Sequence, residues 1–130
     1  MSEFDAFDVR KVIDDGVRID LKLPDGSESG KWIKIRNFRS QAYRDTLDEI
    51  GARIAEHGKP DAKQRHADRI ALLSSLIAEW NFETKLTAQS AADFLNKAIL
   101  VREQIDRACL EDDRFFGKGA TASPAGPKPK

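Results

Sequence analysis

Apolar and polar residues alternate strictly along Val17–Leu23, which reads VRIDLKL. A period of two puts Val17, Ile19, Leu21 and Leu23 on one face of a strand. Pro24-Asp25-Gly26 follows as a turn signature, because Pro presets the first turn position and Gly accepts positive φ. Lys31–Arg36, KWIKIR, alternates again, with Ile33 and Ile35 on one face and Trp32 and Lys34 on the other. The polar, glycine-containing loop between the runs predicts an antiparallel hairpin. A lone hairpin is marginal in water, so a helix must cover its apolar face or another chain extend its edge.

After Ser40 the period becomes helical. Tyr43, Leu47, Ile50 and Ile54 recur at threes and fours along Gln41–His57 and predict a buried stripe, with Arg44, Asp48, Glu49 and Arg53 on the other side. Ser40 is the expected N-cap, and Gly58-Lys59-Pro60 the stop. The strongest stripe lies in Ala67–Glu83, where Ile70, Leu73, Leu76, Ile77 and Trp80 share one helix face and Ala71 and Leu72 widen it. It predicts a long central helix, roughly Ala62–Trp80, capped by Asp61, with Trp80 as a core anchor. The first half of that helix is polar and is expected to project beyond the core.

Thr87 caps the next predicted helix, Ala88–Asn96, which continues or kinks into Lys97–Leu110. Glu111-Asp112-Asp113 is expected to end it, since acids oppose the dipole at a helix C-terminus. Met1–Asp15 mixes Phe4, Phe7, Val9, Val12 and Ile13 with acids and fits either a short helix or an ordered arm. Gly117–Lys130 holds nothing large to bury, which predicts a disordered tail. The expected fold is α+β and mainly α-helical: an N-terminal β-hairpin, then about four helices. It forms a single domain over residues 1–117, with a flexible tail over 118–130.

Composition narrows the function classes. The chain has 130 residues, enough for one real core. Its 22 basic and 22 acidic residues cancel, whereas a domain that lives on phosphate backbones usually carries a basic excess. No nucleic-acid partner is therefore expected. Lys118, Lys128 and Lys130 are the tail's only charges, so the rest is mildly acidic. Cys109, the single cysteine, lies on an apolar helical stretch and reads as a buried thiol. No apolar run reaches membrane-spanning length and the N-terminus lacks a signal-peptide core, so an intracellular, soluble protein without a membrane partner is expected.

No catalytic constellation stands out. There is no glycine-rich phosphate loop, GxSxG elbow or HExxH pair, and His57 and His66 sit on different predicted elements with no third ligand. No catalytic, cofactor or metal site is expected, and a binding or assembly protein fits better than an enzyme.

The order of features resembles the tail assembly chaperones of long non-contractile-tailed bacteriophages (siphophages) and related prophages. The likeness runs over residues 17–117. It rests on the Trp-containing strand Lys31–Arg36, the early Tyr43-Arg44 of the following helix, and the run Ala78-Glu79-Trp80-Asn81-Phe82. A final helix with Ile99-Leu100-Val101-Arg102-Glu103-Gln104-Ile105 then leads to Phe115-Phe116. The resemblance implies a protein that binds the tape measure protein, keeps it soluble, and helps recruit tail tube protein, commonly through a frameshifted longer form. It also implies self-association, residence in the bacterial host cytoplasm, and absence from the mature virion. The competing readings are a small nucleic-acid-associated or regulatory module and an enzyme subunit completed by a partner chain. Apolar excess on the central helix and the Phe pair before the tail point to Leu72, Leu76, Phe115 and Phe116 as the client-binding residues.

Overall fold

The computed structural model describes residues 2–117. The predicted tail over 118–130 lies outside the described residues. A 3-10 turn at Glu3–Phe7 precedes α1 (Arg10–Asp15), and β1 (Val17–Lys22) and β2 (Glu28–Ile35) form the expected hairpin. Then come α2 (Gln41–His57), α3 (Ala62–Ser75), β3 (Ile77–Trp80), α4 (Ala88–Lys97), α5 (Ile99–Ala108) and α6 (Asp112–Phe116). The fold is α+β and mainly α-helical, with a three-stranded antiparallel sheet in the order β1-β2-β3.

The hairpin forms where the alternation places it. Ile19 sits opposite Ile33 and Val17 opposite Ile35. Gly26, at φ 90°, closes the turn by donating its N–H to the Leu23 carbonyl oxygen at 2.8 Å. Ile19, Leu21, Ile33 and Ile35 face the helices and are buried with Ile70 and Leu73 of α3, Leu95 of α4 and Ile105 of α5. The opposite face of the sheet carries Arg18, whose guanidinium lies 5.0 Å from the Trp32 ring centroid.

The long central helix is corrected. It ends at Ser75, and Ile77–Trp80 turns into a strand that pairs with β2, Ile77 opposite Ile35 and Trp80 opposite Ile33. Arg36 makes this stop. Its backbone N–H donates to the Leu76 carbonyl oxygen at 2.7 Å, and Nη1 donates to the carbonyls of Ser75 at 2.9 Å and Ile77 at 3.2 Å. Carbonyls that a continuing helix would use internally are thus satisfied by Arg36, the residue directly after β2. The helix gives up a few intrahelical bonds and β2 gains a partner on its otherwise open edge.

The second correction concerns α2. Its predicted stripe is not buried: no residue of α2 is, and Leu47 and Ile54 remain 45% and 38% exposed. The helix packs on the polar, projecting half of α3, where Arg53 pairs with Asp68. That guanidinium holds the Asp68 carboxyl below its ordinary range. As expected, α5 stops at Ala108, before the acids, and Asp112 and Asp113 then open a further short helix, α6. In the first turn of α6 they complement the dipole. The residues 97–110 kink at Ala98, which ends α4 and begins α5.

Candidate functional site

Leu76, predicted as client-binding, is fully buried in the core, and Phe115 is only 7% exposed, at the corner where α6 meets α1. Leu72 and Phe116 are half-buried. The four residues do not form one open surface, because the turn that ends α3 at Leu76 points that side chain into the core. The short helix α6 then folds Phe115 back onto the body. Trp80 is also displaced from its expected setting. It is half-buried, its ring edge-on to Phe82 at 5.0 Å and to Phe94 at 5.9 Å, away from the α2 stripe.

Phe82 and Phe94 of that cluster form the floor of a groove that the sequence reading missed. The groove, about 340 Å³, lies between the hairpin tip and the α4–α5 corner. Leu21, Leu23 and Pro24 line one side, Phe82 and Phe94 the floor, and Ile99 and Leu100 the other side. Leu23, Ile99 and Leu100 are 49%, 55% and 59% exposed. The kink at Ala98 is the cause. In one continuous helix the adjacent Ile99 and Leu100 could turn at least partly inward; restarting at Ile99 swings the first turn of α5 out beside the hairpin. A signal was present in the sequence, two adjacent bulky apolar residues that cannot both share one narrow stripe.

The rim of the groove is basic. Lys22, Lys31 and Lys97 stand on it, and no carboxylate lines it. Lys22 is paired with Glu28, whereas Lys31 and Lys97 have no carboxylate partner among the described residues. The Lys31 ammonium lies 5.8 Å from the Phe82 ring centroid, which keeps its stem along the floor. Such a site offers apolar contact and attraction for negative charge.

A wider depression of about 740 Å³ is lined by residues of α2, α3, β3 and α4. Glu49, Lys63 and His66 line it with mixed charge, and His66 Nε2 meets Asn96 Oδ1 at 2.8 Å across it. No group of His, Cys, Asp and Glu among the described residues is arranged to hold a metal ion. Cys109 is buried as expected, and burial pushes its thiol up to about 11. No helix among the described residues is long and apolar enough to cross a membrane. No family model, curated protein or solved structure matches the chain.

Proposed function

We propose that this protein is an assembly chaperone that seats an apolar helix of its client in the groove between the hairpin tip and α5. The observation that carries this is the exposure of Leu23, Ile99 and Leu100 around one concave, carboxylate-free surface. An amphipathic helix presents apolar side chains at threes and fours, and a groove of this kind accepts them. The resemblance to siphophage tail assembly chaperones supplies the client's identity, the tape measure protein of a phage tail. It also supplies the later step, recruitment of tail tube protein through a longer form of the chain. On this reading the protein acts in the host cytoplasm as a binding protein with no reaction of its own, and leaves before the virion is complete.

The test is co-expression with a siphophage tape measure protein, scoring the soluble fraction of the client. Leu100→Asp puts a charge where a client side chain would be buried, and the side chain is exposed enough for the fold to tolerate it. Losing one buried Leu-sized contact costs about 1.5–3 kcal/mol, or more than tenfold in affinity. Soluble client should fall sharply with Leu100→Asp and stay unchanged with Leu47→Asp on α2. Equal rescue by both variants removes the groove from the mechanism. No rescue by the wild type removes the chaperone reading.

A further inference from the structure

Residues 2–9 form an arm that the body of the protein does not use. Phe4 and Phe7 are 77% and 83% exposed, the highest among the large apolar residues, and no residue of the 3-10 turn is buried. No hydrogen bond or ion pair among the described residues ties the arm to anything beyond α1. The arm is nevertheless shaped. Ser2 Oγ accepts from the Phe4 N–H at 3.1 Å, and the Asp8 carboxylate holds Arg10 at 2.8 Å. In a 3-10 turn, residues three apart eclipse one another, so Phe4 and Phe7 stand on one edge, roughly 6 Å apart. Glu3 and Asp5 flank them with negative charge.

The groove at the hairpin tip is the complement of this arm. It is apolar inside, has no carboxylate in its lining, and carries Lys31 and Lys97 on its rim. We infer that the acidic Phe arm of one molecule docks in the Lys-rimmed groove of a second copy, with Phe4 and Phe7 inside and Glu3 and Asp5 toward the two lysines. The arm does not lie in its own groove, whose lining includes none of residues 2–9. The arm springs from α1, which packs on α6 and whose Ile13 carbonyl accepts from Asn37, at the Gly16 end of the sheet. The groove lies at the other end of β1, about 20 Å away for a six-residue strand. The five-residue 3-10 turn spans only about 10 Å. Two copies that exchange arms close as a two-fold pair, each giving one arm and filling one groove. This docking stands without the client reading; where both hold, arm and client compete for one groove.

Sedimentation velocity on the full chain alone tests it, with no client present. The wild type should gain mass toward the dimer as concentration rises, and added salt should weaken the association. Phe4→Ser/Phe7→Ser, with arm disabled and groove intact, should be at least about tenfold weaker in self-association. Leu100→Asp, with groove disabled and arm intact, should be weakened in the same way. Both residue sets are exposed, and circular dichroism checks that each variant stays folded. Mixing the two variants should restore a one-to-one complex, because one supplies the arm and the other the groove. Lys31→Glu/Lys97→Glu in the groove donor should abolish that complex. A wild type that stays monomeric throughout, an arm variant that associates as well as the wild type, or a mixture that forms no complex overturns the inference.

Discussion

Asn81 completes the sheet with its side chain: its Oδ1 accepts from the Trp32 N–H at 2.8 Å. Its Nδ2 donates to the Gly30 carbonyl oxygen at 3.0 Å, and its own N–H donates to the Trp32 carbonyl oxygen at 3.3 Å. The chain leaves β3 at Trp80, yet the carboxamide supplies the donor and acceptor that another strand residue would have offered β2. Asn81→Ala leaves the part-buried Trp32 N–H unpaired and gives the exposed Gly30 carbonyl to water. It should cost about 1–3 kcal/mol in urea denaturation. Asn81→Asp keeps the acceptor and loses the donor, and faces the Gly30 carbonyl with a carboxylate, so it should not recover the wild-type midpoint.

The same residue shows where the sequence was legible. Asn81 marks the end of an element in either reading; what periodicity hid was the kind of element. Ile70, Leu73, Leu76, Ile77 and Trp80 keep helical spacing, but a run as short as IAEW is too brief for period alone to separate helix from strand. The deciding fact is tertiary: β2 presents an unpaired edge and Arg36 takes the carbonyls at the turn. Local signals fared better. Ser40, Asp61 and Thr87 all cap as expected, Thr87 in a reciprocal pair with Ser90, because a cap depends only on residues within one turn. The groove was legible only at Ile99-Leu100, for the opposite reason. It joins Leu23 to Leu100 across the sheet-to-helix interface, and no local pattern reports such a meeting.

Gly16 and Gly51 should respond oppositely to alanine. Gly16 has φ 84°, and a Cβ there would lie 2.6 Å from the Ile35 carbonyl oxygen and 2.8 Å from its carbon, both backbone atoms. Neither can rotate away, so Gly16→Ala should lose about 2–3 kcal/mol. Gly51 lies inside α2 with nothing within 4 Å of a Cβ. Gly51→Ala should gain about 0.5–1 kcal/mol from helix propensity. Paired thermal melts read both.

Cys109 should be inert and should make the protein less stable at alkaline pH. Burial raises its thiol to about 11, and Sγ–H points to the Asp106 carbonyl oxygen at 3.4 Å. The unfolded thiol ionises near about 8.5. Between these values the unfolded chain binds fewer protons than the folded one, so stability falls as pH rises through that window. A thiol reagent should label native protein far more slowly than unfolded protein. Cys109→Ala should show a smaller loss of melting temperature between neutral and alkaline pH than the wild type; equal slopes would mean the thiol is not protected.

The exposed stripe of α2 makes the last prediction. Leu47 and Ile54 are large and apolar, yet they lie open, whereas Tyr43 of the same stripe packs against the core and Ile50 is half-buried. Leu47→Lys and Ile54→Lys should therefore each shift stability by no more than about 0.5 kcal/mol. Ile105→Ala, at 0% exposure, should cost about 2–5 kcal/mol. What holds α2 is its contact with α3, including the Arg53–Asp68 pair, where the Asp68 side chain is only 13% exposed. The Asp68 carboxyl is depressed chiefly by its hydrogen bond from Arg53. Its contribution is thus present above about pH 4, where the unfolded carboxyl is ionised, and is lost as pH falls through the lower folded value. Hydrogen exchange along α2 should accelerate on acidification, and Asp68→Asn should remove most of that pH dependence. A helix that loosens on Leu47→Lys and ignores Asp68→Asn would place the stabilising contact on the stripe instead.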